Sequence, residues 1–298
     1  MKFERRLILP IVAVLAAIAL AGCGRGATVA RPRPGRERIV SLAPSVTEML
    51  FAIGAGPHVV GVSQYCDYPP AATKLPKVGS YIEPNIEEIV GLRPTLVIGP
   101  ATLSNVRATP AFARMGIATI MIDDNSIAGI EQGIERVGDS VGRAEAARQV
   151  VARIRRKMAA VEERLRGVPP RTVLMVVGHQ PMVAVGRATF LGELLELADA
   201  RNIAGATTQP WPRLSVEYVI ASRPDVILDG QMGTDPGAPN SFWSRYPSIP
   251  AARDGRVLGY PRNPTLHPGP RIAQTLEILA RLIHPEVFAV SASRESAR

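Results

Sequence analysis

The sequence predicts an α/β protein: two Rossmann-like lobes with mostly parallel sheets, joined by one long connecting helix, with a cleft between the lobes. Three observations predict it. Short apolar strands alternate with helical patterns from residue 38 onward. One helical pattern then runs unbroken from Glu145 to Arg166, after which the alternation restarts. Finally, residues 86–98, IEEIVGLRPTLVI, return as VEYVIASRPDVIL at 216–228, at a constant offset of 130.

The elements follow in order. Arg38 to Leu42 reads as a short strand. Ser45-Val46-Thr47-Glu48 reads as a capping box, with Ser45 accepting from the Glu48 N–H and Glu48 reaching back. The helix it opens stops at Gly54, and His58 to Val62 is the second strand. Asn85 caps a short helix through Leu92, and Pro94 ends it. Thr95–Ile98 and Ile117–Ile122 are strands, and Ser126 to Val137 is helical. In the long pattern, Val150, Val151, Ile154, Met158 and Val161 recur at three- and four-residue steps, with arginines on the other faces. Gly167 and Pro169-Pro170 stop it, and Thr172 to Val177 opens the second lobe as a strand. In the repeat, Glu87 matches Glu217, Arg93 matches Arg223 and Pro94 matches Pro224. Each copy reads as a capped short helix, a break at Arg-Pro and a buried strand.

Composition narrows the function. The 298 residues are 46% apolar and 20% charged, enough for one large core or two modest ones. Two cysteines make neither a disulfide framework nor a four-cysteine metal site. The net charge of +9 is unevenly spread: residues 1–22 carry +2, residues 23–38 carry +4, and only +3 remains for 39–298. A nearly neutral body behind a basic leader does not read as a nucleic-acid binder.

The leader reads as an export signal. Lys2, Arg5 and Arg6 precede an apolar run from Leu7 to Ala21, too short for a hydrocarbon core of ~30 Å. The run ends Leu20-Ala21-Gly22-Cys23, which resembles a bacterial lipobox with Cys23 as the lipidated residue. The expected organisation is a lipoprotein signal peptide (1–22), a lipidated Cys and flexible basic tether (23–37), an N-terminal lobe (38–141), the connecting helix (142–167), a C-terminal lobe (168–290) and a tail (291–298). The body then works extracytoplasmically, in the periplasm or at the cell surface, next to the membrane that holds its anchor. Cys66 is left as an unpaired thiol.

Two lobes on a rigid helix create a cleft of the kind small molecules prefer. The segment Val62-Ser63-Gln64-Tyr65-Cys66-Asp67-Tyr68-Pro69-Pro70, the paired Glu-bearing helices, Pro210-Trp211-Pro212 and Pro270-Arg271-Ile272 resemble the helical-backbone solute-binding proteins of ABC importers. Those proteins carry corrinoids, haem and iron-siderophores, and the resemblance is to the corrinoid carriers above all. It covers about residues 38–285. It implies a monomeric carrier that holds cobalamin as transported ligand, with no cofactor, and hands it to a permease. Haem or a ferric siderophore is the alternative cargo.

The resemblance also implies the site. Tyr65, Tyr81 and Trp211 match aromatic positions that contact the corrin, and Tyr81 stands where the corrinoid carriers have Trp. Asn263 and His267 stand where those carriers have an acidic residue and an Arg. Asn263 is able to bond an amide arm. His267 is a rim donor or, through a neutral imidazole nitrogen, an axial metal ligand. Glu87 and Glu217, one per lobe, match the glutamates that dock the permease.

An enzyme is the reading from another class. The chain has no HExxH, GxSxG or P-loop. Cys66 and His179 are the residues such an enzyme would use. His58 and His284 read as structural or surface residues.

Overall fold

The computed structural model describes residues 37–230 and 242–289. The signal peptide, Cys23, all of the tether but Glu37, and the tail lie outside the described residues. The first sheet holds β1 (Ile39–Ser41), β2 (Val59–Val62), β3 (Leu96–Pro100) and β4 (Ala118–Ile122) in the order β2-β1-β3-β4. Every pair in it is parallel. Its helices are α1 (Pro44–Ala52), α2 (Ile86–Gly91), α3 (Leu103–Arg114) and α4 (Ile127–Ser140). The connecting helix α5 runs Ala144–Leu165, about 33 Å at 1.5 Å per residue.

The second sheet is separate and five-stranded. It holds β5 (Arg171–His179), β6 (Met182–Ala184), β7 (Ala200–Asn202), β8 (Val226–Asp229) and β9 (Val257–Gly259). β8 and then β9 lie parallel to β5 on one side. The other edge of β5 is shared: β7 pairs parallel with its start, and β6 pairs antiparallel with its end. The parallel strands β7-β5-β8-β9 therefore repeat the order β2-β1-β3-β4. The helices here are α6 (Phe190–Leu197), α7 (Val216–Ser222), α8 (Pro250–Arg253), α9 (Arg262–Thr265) and α10 (Ile272–Ile283).

The sequence repeat is a structural one. Asn85 caps α2 by accepting from Glu87 N–H and Glu88 N–H, and Ser215 caps α7 by accepting from Tyr218 N–H. Both helices end on an arginine in the left-handed region, Arg93 at φ 47° and Arg223 at φ 48°. From each arginine the chain passes through proline into a fully buried strand.

Strand alternation divides the core. Ile39, Leu96 and Ile98 face one way and join Val150, Val151, Ile154 and Met158 of α5. On the same side of the second sheet, Val173, Met175, Val226 and Leu228 join the same cluster. The intervening residues Val40 and Val97, and Leu174, Val176 and Ile227, point to separate outer clusters under the remaining helices. One apolar body thus runs from sheet to sheet through the buried stripe of α5.

The capping box does not form. α1 starts at Pro44, whose missing N–H costs nothing at that position, and its N-cap is Ala43, with no side-chain bond. Ser45 and Glu48 fall inside the helix and are buried. The Glu48 carboxylate is used elsewhere.

Candidate functional site

Both sheets present their C-terminal edges to one region, the side of a parallel sheet on which ligands bind. After β2 the chain makes a tight turn in which Ser63 N–H donates to Ser41 and Cys66 N–H to Ser63. The turn sends Cys66 inward and Tyr65 outward. The buried Cys66 Sγ lies 3.2 Å from the hydroxyls of both Thr47 and Ser63. Burial pushes this thiol above its ordinary pKa. A buried thiol held by two hydroxyls is a peg for the turn. Burial and the raised pKa work against the thiolate form that a nucleophile needs.

Tyr81 rises from the loop before α2, and its ring meets that of Tyr65 edge-on, centroids 5.9 Å apart at 63°. Gly79 permits this loop with φ +89°, where a Cβ would meet backbone atoms of Glu83 and Asn85. Trp211 occupies the equivalent place in the second lobe, at the repeat offset of 130 from Tyr81 and four residues before the Ser215 cap. Its flanks are pinned: Gly186 N–H donates to Pro210 and Ala184 N–H to Pro212. Tyr65, Tyr81 and Trp211 remain 51%, 41% and 43% exposed. That exposure costs solvation and is what a flat hydrophobic guest would relieve.

The segment from Asn263 to Arg271 reaches from the second lobe to the first. Asn263 Nδ2 donates to Asp67 at 2.8 Å, and Asn263 Oδ1 accepts from Arg271. Arg271 Nε donates to the buried Glu48 carboxylate at 2.8 Å, and its guanidinium lies 4.1 Å over the Tyr68 ring. His267 Nδ1 lies 3.0 Å from the same carboxylate. A carboxylate only accepts, so Nδ1 carries a proton toward Glu48, and in the neutral imidazole Nε2 is the nitrogen with the lone pair. Asn263 and His267 therefore have protein partners, and His267 offers a metal Nε2 alone. Away from that segment the lobes are also joined where Ile127 N–H, at the start of α4, donates to Glu193 of α6 at 2.7 Å.

His179 ends β5 at the same edge. Its Nε2 lies 2.8 Å from Asp229, a buried carboxylate that also accepts from Trp243 Nε1 at 2.8 Å. The ring stacks on Phe242 at 4.6 Å. As Glu48 does for His267, Asp229 sets the tautomer of the neutral His179 ring, with the proton on Nε2 and the lone pair on Nδ1. The sequence marked His179 as a residue of interest, but Asp229 carried no local signal beyond its place at a strand end. Among the described residues no group of three or more His, Cys, Asp or Glu could hold a bare metal ion. His284 is structural, with Nε2 donating to the Ala198 carbonyl. His58 lies 3.9 Å from Glu37.

Glu87 and Glu217 are exposed on the first turns of α2 and α7. The Glu217 carboxyl sits below the usual carboxylate range because its own backbone N–H and then the Ser215 hydroxyl donate to it.

The sequence model of the periplasmic binding proteins matches residues 39–264. The chain belongs to the periplasmic binding protein family. The match spans both sheets up to the Asn263 loop, so the paired lobes are the family's fold. Membership places the body outside the cytoplasmic membrane.

Among relatives of this periplasmic binding protein is the vitamin B12-binding protein of Yersinia pestis (strain Pestoides F). It is 29% identical over 212 residues, 71% of this chain and 76% of that one. The vitamin B12-binding protein of Photorhabdus laumondii is 29% identical over 191 residues, 64% and 70% of the two chains. The periplasmic heme-binding protein RhuT from Roseiflexus sp. RS-1 superimposes with a TM-score of 0.77 at 30% identity, covering 85% of this chain and all of that one. The periplasmic vitamin B12-binding protein BtuF of Vibrio cholerae superimposes at 0.73 with 24% identity, over 83% and 96% of the chains, a likeness of fold. These relatives are named for what they bind.

Proposed function

We propose that this protein is the lipid-anchored solute-binding component of an ABC importer. It captures a corrinoid in a cleft between lobes 38–141 and 168–290, joined by the connecting helix 142–167, and delivers it unaltered to the permease. The placement of Tyr65, Tyr81 and Trp211 carries the reading. Three exposed aromatic faces stand at the C-terminal edges of two repeat-related lobes, and two of them occupy equivalent positions. A corrin needs broad flat surfaces more than it needs charge. The likeness to vitamin B12-binding relatives over most of the body supports the same cargo.

Titration with cyanocobalamin tests it. Binding at one-to-one stoichiometry, tighter than haemin, is the expected result. A flat cobalamin titration beside tight haemin binding selects the second reading, a haem carrier. That reading has its own support in the 30% identity to a heme-binding protein and in His179 and His267, each held on a buried carboxylate with one nitrogen open.

Permease docking falls to Glu87 and Glu217, exposed on the equivalent turns of the two lobes. Replacing both with Ala should stop transport while leaving cobalamin affinity within about twofold, since solvent-exposed charges contribute little to burying a flat apolar guest. A parallel fall in affinity would assign them to the ligand site. Mass spectrometry of the mature protein should find a diacylglycerol-modified Cys23 at its amino terminus, and an unmodified Cys23 rejects the anchor.

A further inference from the structure

The connecting helix carries charge out of proportion to the rest of the body. From Arg143 to Arg166 there are eight cations and three carboxylates, a net +5, while residues 39–298 together carry +3. Some of these cations are neutralised locally. Arg148 pairs with Glu145, Arg155 with Glu131, and Arg166 with Glu163. Arg153, Arg156 and Lys157 are exposed and have no carboxylate partner among the described residues. Arg164 lies 5.7 Å from the Phe288 ring and likewise lacks an ion pair there.

Helical spacing gathers these cations. Positions 153, 157, 160 and 164 step by four, three and four, so they form one stripe, with Arg156 at its flank. The buried residues Val150, Ile154, Met158, Val161 and Leu165 take the neighbouring face, about a quarter-turn away, so the exposed stripe runs along the edge of the buried one. It borders a groove of about 280 Å³ between α5 and α10. Lys157 and Arg164 stand on one wall, and Ala160, Val161 and Ala273 supply small apolar surface. The carboxylate that lines the groove, Glu277, is taken by Arg281 at 2.7 Å. Cations beside a shallow apolar groove match a phosphodiester with the glycerol and ester carbons behind it.

We propose that this face of α5 and α10 docks on a bilayer surface rich in anionic phospholipid. A straight helix delivers its cations to a plane together, within the ~8 Å reach of unscreened charge. The docking goes beyond the tether. An anchor at Cys23 would keep the body near the membrane, whereas this face would set which side of the body lies against it.

The test uses the mature protein with its own amino terminus and an Ala160→Cys label in the groove, since Cys66 is buried. The labelled protein is mixed with vesicles of phosphatidylcholine, or of phosphatidylcholine with one third phosphatidylglycerol, each containing spin-labelled headgroups. The label should be quenched on the anionic vesicles, several-fold less on the neutral ones, and released by high salt. Joint replacement of Arg153, Arg156, Lys157 and Arg164 with Gln should abolish the difference, at about fivefold in partition per cation, while cobalamin binding persists. Equal quenching on both vesicles, indifference to the four substitutions, or quenching that needs added permease would overturn the proposal. Flotation on the neutral vesicles reads the anchor separately, so its failure is distinguishable from failure of the α5 face.

Discussion

Replacing Tyr81 or Trp211 with Ala weakens cyanocobalamin binding by about 30-fold each, and replacing both weakens it by about a thousandfold. The magnitude follows from burying one aromatic face against a flat guest, worth ~2 kcal/mol at a well-packed contact. The effects should roughly add because the two residues sit on different lobes and do not touch each other. Trp243 sharpens the measurement. It is fully buried and bonded to Asp229, so it makes no direct contact with cargo. Trp211→Phe should therefore reduce the fluorescence response while equilibrium dialysis still shows binding within about fivefold of the parent. Tyr81→Trp, which enlarges the flat surface, should tighten the complex. Unchanged dialysis constants in both Ala variants would remove the aromatic site from consideration.

Glu48→Ala lowers the melting temperature by about 6–12 °C. Glu48 is 3% exposed and is shared by Arg271 and His267 across the two lobes. Removing it strands a largely buried guanidinium, a loss of ~3 kcal/mol at the lower end for broken buried pairs. At about 2–4 °C per kcal/mol for a body of this size, that gives the stated range. Removing the charge as well as the partner should undo much of the damage. Glu48→Leu with Arg271→Met replaces the pair with apolar volume and should recover more than half of the lost melting temperature. A change under about 1 °C in Glu48→Ala would mean the seam adds nothing to stability. Because the same seam fixes Asn263 against Asp67, Glu48→Ala should also loosen the lobes, read as faster amide exchange around residues 261–271.

Much of the architecture was legible because its signals are short-range. The α5 stripe of Val150, Val151, Ile154, Met158 and Val161 is buried as its spacing demanded. Asn85 caps α2 as its position before Ile86 implied. The offset of 130 marks α2 and α7 as counterparts independently of strand order. Short elements without periodicity were harder to read. β6, β7 and β9 have three residues each and owe their existence to the edges of longer strands.

The site divided along the same line. Tyr65, Tyr81 and Trp211 stand out in sequence because aromatic residues are rare here, at 5% of the chain, and these sit in loops at strand ends. Glu48 misled, because Ser45 three residues earlier mimics a capping box while Pro44 starts the helix sooner. Its partners lie more than two hundred residues away. Likewise nothing around Asp229 announces that it orients His179.

Sequence alone determined the paired lobes, the rod between them and the loops that bear the aromatics. Hydrophobic period, caps and breakers act over a few residues, so the chain states them locally. Tertiary structure decided which carboxylate meets which cation, which nitrogen of His179 and His267 stays open, and how one edge of β5 is split between an antiparallel and a parallel neighbour. Those outcomes depend on bringing distant segments within 3 Å of one another, and the path of the whole chain sets that distance.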